Sequence, residues 1–293
     1  MEKYKIAISL SGQPYFYAEC IDSFLTNLYT ESVTNTYGHF WWDSSYTNKC
    51  FKMHYNCKLD SSNSPELAKD RFKIKNVQIE RHKNYDLSFF KKFNNVWTGM
   101  SLEYYRMMTP IFLYGYLCQT ESIFKSVSSI ENEEITIRTR LDIIYAHEHI
   151  VKIINKINIE DNTIYFQTSG NGGHLFAGEP PNVPCDWFYL GKSTTIKKFT
   201  SLLSDQVYEK FKNGIVHMRD YIINICEENK INYKLIDFGA VLFKQTNLFN
   251  KANHNPIELY SDNFHQGDMK PQNLDIWPYW IENINFKHFK DIT

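Results

Sequence analysis

The sequence predicts an α/β domain, an open sheet flanked by helices, and three observations lead there. The chain opens on a short strand pattern, residues 4–10, that stops at the turn Ser11-Gly12-Gln13-Pro14. An amphipathic stretch follows from Tyr17 to Tyr29, with Cys20, Phe24 and Leu28 four residues apart on one face. A second apolar segment, His39-Phe40-Trp41-Trp42-Asp43, then completes a strand, turn, helix, strand unit. Sheets that begin this way bind ligands at the carboxyl ends of their strands.

The later elements follow in order. Residues 44–70 are rich in Ser and Asn, Ser61-Ser62-Asn63-Ser64-Pro65 included, and read as a loop. Residues 77–80 read as a third short strand. Residues 101–124 read as a long helix that Pro110 kinks or splits. One strand is expected over 135–145, a helix over 152–157 and a strand over 163–166. Gly170-Asn171-Gly172-Gly173-His174 and Gly178-Glu179-Pro180-Pro181 punctuate an irregular segment. The run Asp186-Trp187-Phe188-Tyr189-Leu190-Gly191 reads as a strand that opens on a carboxylate. Helices are expected over 193–203 and 215–230, with 241–243 as the last strand. With no internal repeat and no strong linker, the reading is one domain, residues 1–250. Pro256, Pro271 and Pro278 mark 251–293 as a wrapping C-terminal extension.

Composition narrows the function classes. A length of 293 residues is ample for a sizeable core, and 43% hydrophobic with 22% charged residues is ordinary for a globular protein. A net charge of −1 leaves no basic excess to neutralise phosphates, which argues against a general nucleic-acid binder. The start of the chain is too polar for a signal peptide, and no apolar run reaches the roughly 18 residues of a membrane span. A cytoplasmic protein with reduced thiols is expected. The cysteines form no CxxC pair, and Cys50, His54 and Cys57 lack the fourth ligand that structural zinc requires.

The candidate chemistry is densest in Ile135-Thr136-Ile137-Arg138-Thr139-Arg140-Leu141-Asp142-Ile143-Ile144-Tyr145, a buried strand pattern that runs into charge. Burying an unpaired charge costs several kcal/mol or more, so such a strand end needs partners. Arg140 and Asp142 are two residues apart and on an extended chain share one face. Together they can hold a diphosphate, a metal, or each other.

Two segments imitate protein-kinase motifs: Asp237-Phe238-Gly239, and His265-Gln266-Gly267-Asp268-Met269-Lys270-Pro271-Gln272-Asn273. Their order is reversed relative to a kinase, in which the catalytic loop precedes Asp-Phe-Gly, and no GxGxxG is present. Phosphoryl transfer is the weaker reading.

Taken together, Ile8-Ser9-Leu10-Ser11-Gly12-Gln13-Pro14, Gly38-His39-Phe40-Trp41-Trp42-Asp43, Ile137-Arg138-Thr139-Arg140-Leu141-Asp142 and Asp186-Trp187-Phe188-Tyr189-Leu190-Gly191-Lys192-Ser193 form an ordered set. The set resembles a group of GT-A-like glycosyltransferases of bacterial and viral surface-glycan (polysaccharide) biosynthesis, over about residues 4 to 245. The resemblance implies a GT-A-like (Rossmann-like) mixed sheet, a nucleotide-sugar donor, a glycan acceptor, and manganese or magnesium as a compatible cation. One departure is Tyr15, where such proteins often carry an arginine after the Ser-Gly-Gln-Pro turn.

Under that resemblance the roles divide as follows. Ser11, Gly12 and Gln13 would meet the nucleotide, with Arg138 and Arg140 on the diphosphate. Asp142 stands where an Asp-x-Asp motif would bind metal and is a candidate for metal, donor sugar or catalysis. Asp186 is the candidate base or sugar-hydroxyl ligand, and Trp187 a ring to stack on a pyranose. His217 is a candidate metal ligand, and Asp220, one turn later on the same helix, a candidate catalytic carboxylate. A non-catalytic sugar- or nucleotide-binding protein on the same scaffold is the principal alternative.

Overall fold

In the computed structural model the described residues are 3–14, 18–42, 64–81, 83, 102–145, 150–168, 184–213, 218–236, 238 and 240–242. The first strand, β1 (Ile6–Gly12), is buried along almost its whole length, as a strand covered by helices on both faces must be. A helix, α1 (Ala18–Ser23), continues into a π-helical turn (Phe24–Leu28), and Cys20, Phe24 and Leu28 are all buried as their spacing predicts. Strand β2 (Thr34–Trp41) begins well before the expected segment, because Thr34 and Thr36 are β-branched residues buried despite their hydroxyls.

Residues 65–71, expected as loop, form a short helix instead. In α2 (Pro65–Arg71), the Ser64 side chain accepts the Leu67 N–H and Pro65 occupies the first turn, the usual start signal of a helix. Strand β3 (Ile74–Glu80) follows, and then α3 (Leu102–Ser128), a single helix that runs through Pro110. The strand expected over 135–145 is broken into β4 (Ile135–Thr139) and β5 (Ile143–Tyr145). The break is the turn Arg140-Leu141-Asp142, after which β5 leaves the main sheet. The remaining elements are α4 (Ile150–Lys156), β6 (Thr163–Thr168), β7 (Pro184–Lys192), α5 (Ser193–Lys212), α6 (Met218–Glu228), β8 (Asn232–Ile236) and β9 (Ala240–Leu242). Strand β8 was not expected. Its charged and polar residues face outward on an exposed edge, which removes the apolar signal.

Among the described residues seven strands form one sheet in the order β3-β2-β1-β4-β7-β6-β8, and β5 pairs with β9 in a second, two-stranded sheet. In the large sheet β1 to β4 run parallel, β7 runs antiparallel to β4 and β6, and β8 runs parallel to β6. This is the mixed, helix-flanked α/β sheet that the sequence predicts. One core, with Phe24, Phe72, Ile150 and Ile154, packs the face carrying Ile6, Ile8, Ile135 and Ile137. The other, with Leu117, Val127, Phe199 and Ile225, packs the opposite face, so α3, α5 and α6 lie across the sheet from α1, α2 and α4. Among the described residues no helix is long and apolar enough to cross a membrane. The proposed boundary at residue 250 lies outside the described residues.

Strand order reverses between β1 and β4. From β1 the chain proceeds outward to β2 and β3, then crosses back to β4 on the other side. At such a switch point the connections leave in opposite directions, so a crevice opens above the carboxyl ends of the two strands. Gly12 and Thr139 end those strands, so the crevice lies beside both the Ser-Gly-Gln-Pro turn and the Arg-Thr-Arg segment.

Candidate active site

Two serines of α3 fasten the floor of the crevice. Ser126 accepts a hydrogen bond from Ser9 Oγ at 2.8 Å, and Ser122 accepts the Gly12 N–H at 2.8 Å while donating to the His39 carbonyl at 2.9 Å. Both hydroxyls are buried and lie four residues apart, on one helix face. Gly12 adopts φ +119°, a conformation that essentially only glycine tolerates, and among the described residues a Cβ placed there would meet nothing within 4 Å. The turn therefore leaves open space directly over its backbone, room for a ligand to approach. Its N–H is already used by Ser122, so the approach is steric and that N–H offers no hydrogen bond.

Arg138 lies beside this turn. It shares a face of the sheet with its cross-strand partner Tyr189, and its guanidinium carbon sits 5.7 Å from the centre of that ring. Nη1 donates to the backbone carbonyl of Asp186, and Nη2 lies 3.5 Å from Ser11 Oγ. Nε has no partner, and among the described residues no carboxylate forms an ion pair with this arginine. The side chain is 1% exposed. Burial lowers its proton affinity below the ordinary guanidinium value, yet arginine stays charged. The result is a buried cation whose charge is not neutralised by contact, aimed at the end of β1.

Arg140 and Asp142 are a different case. Arg140 Nε donates to Asp142 Oδ1 at 2.8 Å and Nη2 donates to Oδ2 at 2.7 Å, a bidentate clasp across the turn after β4. Of the alternatives left open by the sequence, these two residues hold each other. Burial would depress Arg140, but the adjoining Asp142 carboxylate outweighs it and raises its affinity for the proton. Both oxygens of Asp142 are committed, His217 lies outside the described residues, and no group of three or more His, Cys, Asp or Glu among the described residues could hold a metal. The described donors therefore do not fit a metal site.

Asp186 faces the crevice from β7. The pairing of β6 with β7 runs Phe166↔Tyr189 and then Thr168↔Pro184, so β7 takes five residue steps where β6 takes two. Such a bulge re-aims side chains. Here it directs Trp187 into the core of the α1 face, with Nε1 donating to the Ala240 carbonyl at 3.4 Å. Trp187 is thus a packing residue with no ring face laid open to a sugar. Asp186 turns the other way, to α3, where its Oδ2 accepts from Gln119 Nε2 at 2.6 Å. Oδ1 has no hydrogen-bond partner among the described residues. Gly191, at the other end of β7, is needed for close approach: a Cβ there would lie 2.9 Å from the Thr163 carbonyl.

The structure thus gathers Ser11, Gly12, Arg138 and Asp186 at the carboxyl ends of β1 and β4, with the Arg140–Asp142 pair in the turn that follows β4. Gln13 is half-buried at the end of the turn. Asp220 is not brought in: its side chain is 60% exposed in the first turn of α6 and lies 3.4 Å from Arg219 Nε. His217, Tyr15, His174, Asp237 and residues 265–273 lie outside the described residues. Gln119 and Ser122 are missing from the sequence reading. Their signal was a helix that carries Gln119, Ser122 and Ser126 at three- and four-residue spacing toward the sheet, where a purely structural helix would carry Leu or Ile.

No protein-family model matches the sequence, and no curated protein does. Among solved structures the chain is similar to mouse xyloside xylosyltransferase 1 in its apo form, with a TM-score of 0.35 and 11% identity, over 93% of this chain and 98% of that one.

Proposed function

We propose that this protein is a glycosyltransferase that moves a sugar from a nucleotide-sugar donor to a hydroxyl group of a glycan acceptor. The single observation that carries the reading is Arg138, a buried guanidinium with no carboxylate partner among the described residues, at the switch point of an α/β sheet. Folding bears a cost of several kcal/mol for a charge in that position, and an anion arriving beside it recovers that cost. The open face of Gly12 gives a diphosphate room to lie against the end of β1. Donor and acceptor then meet between Arg138 and Asp186.

In this mechanism the bond between the sugar's anomeric carbon and the diphosphate oxygen breaks, and its electron pair leaves with the phosphate. Arg138 meets that growing negative charge by charge-assisted hydrogen bonds. Asp186 takes the proton of the acceptor hydroxyl as its oxygen bonds to the same carbon. A single displacement of this kind inverts configuration at that carbon.

The test begins with a thermal-shift panel of UDP-, GDP-, CMP- and dTDP-sugars at millimolar concentration, with and without manganese. A ligand at a hundred times its dissociation constant adds about 2.7 kcal/mol, a clear shift. Donor hydrolysis or transfer is then compared between wild type and Asp186→Asn. The expected result is stabilisation by one nucleotide class, with turnover that the variant loses while still binding the donor. Stabilisation without turnover in wild type would instead identify a binding protein, and no stabilisation by any nucleotide would remove the basis of the proposal.

A further inference from the structure

We infer that Gln119 is a positioning residue for Asp186, fixing which carboxylate oxygen faces the acceptor; this rests on the reading of Asp186 as the base. The geometry is specific. Asp186 is held at two points by two elements: Arg138 of β4 donates to its backbone carbonyl, and Gln119 of α3 donates to Oδ2 at 2.6 Å. The donor in the second contact must be the amide nitrogen, since an ionised carboxylate only accepts. With Oδ2 engaged, Oδ1 is the oxygen left to receive a proton.

The backbone bulge in β7 turns Asp186 toward α3, but a carboxylate can still rotate about its terminal bond. The amide of Gln119 removes that freedom without adding charge. A lysine there would pair with the carboxylate and weaken it as a base. A leucine would leave it free to rotate. A neutral donor from a well-anchored helix does neither. That helix is itself tied to the donor turn through Ser122 and Gly12, so the two halves of the crevice are held in register by one element.

Two substitutions in the full chain test the inference. Gln119→Leu keeps the volume and removes the donor, and should lower kcat about ten- to a hundredfold with the donor KM within about twofold. Gln119→Glu replaces the amide with a second carboxyl at the same position. Two carboxylates in contact cannot both ionise freely, so the pair holds one proton over a wide pH range. Singly protonated, the introduced carboxyl donates as the amide did. Activity should therefore be retained while the pair holds one proton and fall as it loses that proton, adding an alkaline limb that wild type lacks.

A helix residue with only a packing role would produce no such limb. In parallel, the Asp186 carboxyl carbon, assigned by its disappearance in Asp186→Asn, is titrated by NMR. In Gln119→Glu it should show two coupled steps. A Gln119→Leu variant with wild-type kcat, or an Asp186 carbon whose titration is unmoved by Gln119→Glu, would overturn the inference. Absence of turnover in wild type would refute the proposed transferase instead, and the NMR titration would still decide the contact.

Discussion

Replacing Arg138 with methionine should change stability little and deprive the protein of its donor. Desolvating a guanidinium costs several kcal/mol even after relaxation. Against this the structure sets one hydrogen bond to the Asp186 carbonyl, worth about 1.5–3 kcal/mol for a charged donor, and a contact with the Tyr189 ring worth up to about 2. The 3.5 Å approach to Ser11 adds little, and Nε adds nothing. Methionine keeps the apolar packing of the arginine stem while leaving the Asp186 carbonyl short of a partner, a loss of about 1–3 kcal/mol. The balance is an expected change in stability between a loss of about 2 kcal/mol and a gain of about 2 kcal/mol, within several degrees in Tm. Donor affinity should fall about 10- to 150-fold, the equivalent of the 1.5–3 kcal/mol lost with a charge-assisted contact. Denaturant unfolding and isothermal titration with the best donor measure the two effects separately. A variant destabilised by more than about 3 kcal/mol that binds donor as wild type does would show that Arg138 serves the fold alone.

The Arg140–Asp142 clasp should behave in the opposite way. A double-mutant cycle with Arg140→Ala and Asp142→Asn is expected to give a coupling energy of about 1–3 kcal/mol in unfolding, with donor affinity changed less than tenfold; a coupling near zero would mean the pair is not formed in solution. Ser122→Ala leaves the Gly12 N–H without its acceptor and should cost about 1–3 kcal/mol, read from urea unfolding, and weaken donor binding because the turn loses its anchor. The buried His39 is held mainly neutral by desolvation, aided by the neighbouring Lys125 charge and opposed by Glu80, which together bring its pKa from 6.5 to about 4. The unfolded chain therefore binds the proton first, so stability is full above about pH 6.5 and declines as pH falls toward 4, by on the order of 3 kcal/mol in all. Unfolding free energies of wild type and His39→Gln across that range should converge at acid pH, and parallel curves would contradict the assignment.

Much of the frame was legible because it depends on local pattern. Cys20, Phe24 and Leu28 announced a helix face, and the β1 and β4 strands declared themselves through Ile-rich runs interrupted only by small or β-branched hydroxyl residues until Arg138. What could not be read were features decided by distant pairing. Thr34 and Thr36 look polar in sequence and are buried because β1 and β3 flank them. The bulge in β7 depends on how β6 is laid beside it, so the opposite fates of Trp187 and Asp186 have no signature in the run Asp-Trp-Phe. Strand β8 joins an edge, where one exposed face hides the alternation that would reveal it.

The charged segment shows the same division on a smaller scale. Sequence spacing put Arg140 and Asp142 on one face by assuming that the strand continued through them. The chain instead turns at Leu141, and the turn brings the two side chains into a bidentate contact. Their mutual neutralisation is what isolates Arg138. It stands two residues earlier, inside the last regular stretch of β4, where the cross-strand neighbour is a tyrosine and the nearest acceptor is a backbone carbonyl. Had Asp142 paired with Arg138, the crevice would carry no buried free cation and the stability of Arg138→Met would drop with the orphaned carboxylate. The closing of one arginine onto its neighbour thus leaves the other for a ligand, and a stability changed by no more than about 2 kcal/mol, with donor affinity lost, on removing Arg138 is the result that distinguishes this arrangement from a purely structural charge network.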